Sequence, residues 1–197
     1  RAVMAILRHS IAPSAALQSK RGRTPFSASA RGPVHSTKPM ESQAKLPKTL
    51  VLVGMMGAGK SAIGRRLAAA LHVPFVDADT EIEAAAGCSI PDFFATHGEA
   101  AFRDGERRVI ARLLTHKPHV LATGGGAFMD ETTRAAIADR AVSVWLKADV
   151  ETLWQRVSRR GGRPLLDTEN PRETLERLVE LRYPIYARAD IAVESTD

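Results

Sequence analysis

At 197 residues, 44% hydrophobic and 25% charged, the chain suits one globular domain with a real core and leaves little room for two. Its single cysteine, Cys88, excludes an intramolecular disulfide framework and a Cys-rich zinc site, and no apolar run reaches the roughly eighteen residues of a membrane-spanning helix. The net charge of +6 resides in residues 1–39, where seven basic side chains meet no acid, so the body carries −1 and gives no electrostatic support for binding nucleic acid.

Residues 1–47 are expected to form a basic, disordered extension, rich in Ser, Ala, Arg and Pro and without apolar periodicity. The preferred reading starts translation at Met40 and puts the protein in the cytoplasm. The alternative is an organellar transit peptide, since the segment is Arg- and Ser-rich and free of acids. From Lys48 on, strands and helices alternate. Thr49–Val53 predicts a strand, Ser61–Leu71 a helix, Val73–Val76 a second strand and Asp79–Ala86 a helix. Ser89, with Asp92 three residues on, predicts a helix start, and Glu99–His116 a longer amphipathic helix. His119–Thr123 predicts a third strand, Glu131–Ala138 a helix and Ala141–Lys147 a fourth strand. Val150–Arg159 and Arg172–Arg182 follow as helices around a Gly/Pro loop, and Ile191–Glu194 as a last strand. This order predicts a doubly wound, three-layer α/β/α domain on a five-stranded parallel sheet.

The strongest signal is Gly54-Met55-Met56-Gly57-Ala58-Gly59-Lys60-Ser61, a match to G-x-x-x-x-G-K-[ST] lying between a strand and a helix. Glycines let backbone N–H groups close on phosphate oxygens, and the following helix adds its open N–H groups and dipole. Lys60 is expected to hold terminal phosphates, and the Ser61 hydroxyl to ligate Mg²⁺. A GTPase would want Asn-Lys-x-Asp, but the sole asparagine, Asn170, precedes proline. Asp77 and Asp79 end the second strand, where one carboxylate can face Mg²⁺ and the other a substrate. Helix capping by Asp79 is the plainer account. Arg103 and Glu106, three apart on a helix, allow the acid to orient the guanidinium, although isolated pairs of this kind usually matter little. Gly124-Gly125-Gly126 would let a ligand approach the backbone. Arg159-Arg160-Gly161-Gly162-Arg163 suits a short lid that closes on phosphates. His72, His97, His116 and His119 show no metal-ligand spacing and are read as structural; Cys88 is read as an inert, partly buried thiol.

Taken in order, G-x-x-G-x-G-K-S, D-x-D, F-R-x-x-E, G-G-G, R-P-L and R-x-P-x-Y resemble the shikimate kinase family over about residues 48–196. The resemblance implies a nucleoside-monophosphate-kinase type of fold and transfer of the ATP γ-phosphate to the 3-hydroxyl of shikimate. It implies that Gly57, Ala58, Gly59, Lys60, Ser61 and Ala62 surround the phosphates, with Ser61 and Asp77 at Mg²⁺. Asp79 would hold substrate hydroxyls and act as general base. Arg103 and Arg182 would clamp the substrate carboxylate, with Gly125 and Gly126 adding backbone contacts. Arg163 would close with the lid, and Arg156 would stack on adenine. The family continues past the last strand through an adenine-contacting loop and a helix, whereas this chain stops at Asp197, so weaker ATP binding is expected. A monomer acting on a small molecule, with no nucleic-acid or membrane partner, is the expected assembly. Two alternatives stand beside this reading. One is another metabolite kinase of the gluconate type, against which the Arg103/Arg182 pair and triple glycine argue. The other is a catalytically silent nucleotide-binding protein, against which Lys60, Asp77, Asp79 and the lid arginine argue.

Overall fold

A computed structural model describes residues 46–159 and 164–196. Most of the basic extension, and lid residues 160–163 with Arg163, lie outside the described residues. Five strands, β1 (Thr49–Val53), β2 (Phe75–Asp77), β3 (Val120–Ala122), β4 (Ala141–Lys147) and β5 (Ile191–Glu194), form one parallel sheet in the order β2-β3-β1-β4-β5. β1 and β3 are buried throughout, as continuous apolar strands must be when helices cover both sheet faces. Edge strand β5 is only half-buried. Because β1 lies between β3 and β4, its carboxyl end opens where the strand order reverses, the ligand-binding crevice of such sheets.

Six helices connect the strands: α1 (Lys60–Leu71), α2 (Ala78–Ala86), α3 (Ile90–Leu113), α4 (Glu131–Arg140), α5 (Val150–Ser158) and α6 (Pro171–Tyr186). The boundaries of β1, β4 and β5 coincide with the sequence reading, and two differences have local causes. The second strand begins at Phe75 rather than Val73, because His72 turns left-handed at the end of α1 and the Val73 N–H bonds back to Ala68 O at 3.0 Å. The two helical segments expected at Ser89 and Glu99 are both present: they adjoin as α3, which starts at the Ser89 cap and is broken at Gly98 (φ 78°, ψ 174°), a conformation open only to glycine. The last helix runs on past Arg182 and through Pro184 to Tyr186.

An interior proline costs a helix about 3 kcal/mol. Burial of Tyr186, and its packing with Tyr183 around Trp145, offsets that cost. The Tyr183 and Tyr186 hydroxyls donate to Ala148 O and Gly125 O, tying α6 to the sheet's carboxyl edge. Among the described residues, no helix is long and apolar enough to cross a membrane.

Candidate active site

The buried strand β1 delivers the glycine loop to the crevice. Gly59, at φ 85°, caps α1 and has no side chain to compete with an anion for the first helical N–H groups. Lys60 folds over the loop, its Nζ donating to Gly54 O at 2.8 Å and Met55 O at 2.9 Å. The Ser61 hydroxyl donates to Asp77 Oδ2 at 2.7 Å, so the two expected metal ligands meet between the start of α1 and the end of β2. Asp77 Oδ1 accepts from the Asp79 N–H at 3.2 Å: the cap of α2 is Asp77, not Asp79. The plainer, capping role thus falls to Asp77, and Asp79 lines both cavities of the crevice.

A cavity of about 450 Å³ spans the loop, with Gly57, Gly59, Lys60, Ser61, Ala62, Asp77, Asp79 and Arg156 in its walls. Ala58 is buried behind it. Arg156, on α5, donates to Gly57 O at 3.3 Å and to Ser195 Oγ at 3.1 Å, and Ser195 Oγ donates to Ala58 O at 3.0 Å. Arg156 thus stands in the cavity wall beside the phosphate loop, held by the residue that follows β5. Ser195 escaped the sequence reading, having no signal beyond its place after the last strand.

A second cavity, of about 280 Å³, adjoins the first and shares Met56, Asp79, Gly124 and Gly125 with it. Its lining combines apolar and charged groups. Ile90, Pro91, Phe94, Phe102 and Leu165 supply the apolar part, and Asp79, Glu83, Arg103, Glu106 and Arg182 the charged part, beside the glycine turn. Arg103 Nη1 donates to Glu106 Oε2 at 2.7 Å, while its Nε and Nη2 donate to Glu99 Oε1 at 3.3 and 3.1 Å. The guanidinium lies against Gly126 so closely that an added Cβ would sit 2.5 Å from Arg103 Nη1. A side chain at 126 would therefore push the arginine off its perch. Arg182 is only 9% exposed, and among the described residues its buried Nη1 and the buried Glu106 Oε1 have no hydrogen-bond partner. A buried cation with unfilled donor capacity beside a cavity fits an anionic ligand.

Glu106 is therefore not the solvated surface acid that i,i+3 pairs usually contain. Its side chain is 3% exposed, and burial raises its pKa above the ordinary 4.5, against the opposing pull of Arg103. Nearby Asp79 adds to the rise. Burial likewise pushes the Tyr186 phenol up to about 12, so it stays a neutral donor to Gly125 O. Burial of Glu106 means that the folded state holds its proton more tightly than the unfolded state. Its ionisation therefore erodes stability as pH rises from about 4.5 through the raised folded value. Glu106→Gln should accordingly gain in melting temperature relative to the parent between pH 4.5 and 7. A difference that is constant, or shrinks, over that range would show that the Arg103 pair outweighs burial.

A phosphate loop at a helix start, a carboxylate edge beside it and a small basic pocket adjoining both define a P-loop kinase for small molecules. The family model described as "Shikimate kinase" matches residues 56–197. Shikimate kinases of Bradyrhizobium diazoefficiens and Paramagnetospirillum magneticum are each 63% identical, over 150 and 153 residues; these cover 76% and 78% of this chain and 72% and 78% of theirs. The solved shikimate kinase of Acinetobacter baumannii in complex with shikimate superposes with a TM-score of 0.75 at 40% identity, over 78% of this chain and 86% of that one. The chain belongs to the shikimate kinase family, and ATP-dependent phosphorylation of shikimate is its activity. Of the three readings the sequence left open, these findings select the first.

Proposed function

We propose that ATP occupies the larger cavity and shikimate the smaller, with transfer taking place where they meet. The observation that carries this partition is the shared boundary at Asp79, Gly124 and Gly125, with the phosphate loop on one side and the Arg103/Arg182 pair on the other. Arg103 and Arg182 hold the shikimate carboxylate, since a planar guanidinium can bind it bidentately. The apolar part of the lining receives the carbon ring, and Gly125 and Gly126 allow it to approach the backbone. Asp79 orients the 3-hydroxyl and accepts its proton as that oxygen bonds to the γ-phosphorus and the bond to the ADP oxygen breaks. Lys60 exchanges its loop carbonyls for phosphate oxygens and follows the charge in the transition state. Arg163 adds a second cation from the lid, and Arg156 stacks on adenine.

Ser61 and Asp77 offer two hard oxygen donors 2.7 Å apart at the phosphate loop, a donor pair that fits Mg²⁺. Those two residues would hold the ion, which when bound neutralises β- and γ-phosphate charge. The same reading takes the domain as a cytoplasmic monomer with no nucleic-acid or membrane partner; the neutral charge of the body supports the first of these exclusions.

The test is ADP production in a coupled assay. Turnover should require shikimate and Mg²⁺ together and should be absent with gluconate. Equal rates with the two acceptors, or undiminished rates in excess EDTA, would overturn the proposed site.

A further inference from the structure

Arg103 meets the glycine turn at one point, and a second contact between the same two elements lies one helical turn further along α3. Arg107, four residues after Arg103, donates from Nη1 to Asp130 Oδ2 at 3.2 Å and from Nη2 to Asp104 Oδ1 at 2.6 Å. Asp130 ends the single 3₁₀ turn Ala127–Met129 that follows the triple glycine, and it caps α4 through its other oxygen, which accepts from Thr133 N–H at 2.7 Å. The turn itself is tied down from α4: Arg134 Nη1 donates to Phe128 O at 2.8 Å and Met129 O at 2.7 Å. The helix that carries Arg103 and Glu106 is thus strapped to a turn that is itself held by Arg134 and that directly follows Gly125 and Gly126. The Arg103 guanidinium fills the space that a side chain at Gly126 would need, so the separation of helix and turn bears on where it lies.

We propose that Arg107 and Asp130 are a positioning pair for the substrate carboxylate site, fixing the spacing between α3 and the glycine turn and through it the aim of Arg103. The proposal rests on the reading that Arg103 binds the shikimate carboxylate. Both side chains of the pair are about one-third exposed, and such ion pairs contribute little to folding. Binding is less tolerant, because small misplacements of an orienting group are felt strongly in a fitted site. The pair's loss should therefore register in shikimate affinity and hardly in stability. Asp104 and Arg108 complete the local charge set around Arg107 on α3.

The experiment uses the full chain with Arg107→Gln, Asp130→Asn and the double variant; Asn keeps an oxygen for the Thr133 cap. Each single change should raise the KM for shikimate roughly three- to tenfold, with kcat and the KM for ATP held within about twofold. Melting temperatures should stay within about 2 °C of the parent. The double variant should be no worse than the poorer single, since either change breaks the same strap. Arg107→Lys should recover part of the affinity. Unchanged shikimate KM, effects that multiply in the double variant, or a KM loss matched by a fall in melting temperature would each overturn the proposal. Arg103→Ala separates the two levels of the argument. If it leaves shikimate KM unchanged, the carboxylate reading fails and the proposal with it; if it raises KM while Arg107→Gln does not, only the positioning role fails.

Discussion

Lys60→Ala is expected to lower kcat on the order of a hundred- to a thousandfold, the usual loss when one preorganised cationic or hydrogen-bond donor to the transition state is removed. The lysine reaches Gly54 O and Met55 O from the start of α1, so its ammonium already sits at the mouth of the phosphate loop. Phosphoryl transfer depends on positioning and charge neutralisation, which is why one cation carries so much of the rate. The loop's shape owes more to the left-handed conformations at Gly57 and Gly59 than to this side chain, so the melting temperature should move by only about 2–4 °C. The effect should be the same at saturating and limiting shikimate. Steady-state kinetics with a thermal melt check it; a loss confined to the KM for shikimate would move Lys60 out of the phosphate site.

Arg182→Ala should lower kcat/KM for shikimate by roughly thirty- to a thousandfold, the equivalent of about 2–4 kcal/mol for a charge-assisted contact that also orients the ligand. Nucleotide titration should show ATP binding nearly unchanged. Stability should fall as well, because Arg182 is buried between Glu106 and Tyr186 and helps to neutralise the former. Removing it leaves the buried Glu106 with less compensating charge, and an uncompensated buried charge is costly. Arg182→Lys keeps the charge and loses the planar fork, so it should restore stability more than activity. If ATP binding fell while the shikimate KM held, Arg182 would belong to the nucleotide side.

How much of this the sequence carries depends on the range of the interaction. β1, β4 and β5 were legible to the residue because a strand buried on both faces, or paired at the edge of such a sheet, must be a short apolar run with turn residues at its ends. The phosphate loop was legible because its glycines, lysine and serine are contiguous, and their chemistry needs only the strand and helix on either side. The helix through Pro184 was not. A local rule ends helices at proline, and only the packing of Tyr183 and Tyr186 on Trp145 overrides it.

The sequence by itself determined the class of fold, the phosphate site and the identity of the charged residues, because each is encoded in periodicity or in a short contiguous motif. The tertiary structure alone decided which of those charges share a pocket. Glu106 reads as a surface acid until α3 buries it against Gly124 and Arg182. The Gly125 carbonyl has no evident partner until Tyr186, sixty-one residues away, donates to it. Arg107 finds Asp130 across twenty-three residues, and Arg156 finds Ser195 across thirty-nine. Burial and long-range pairing depend on how helices settle on the sheet, and no local pattern of residue types contains that packing.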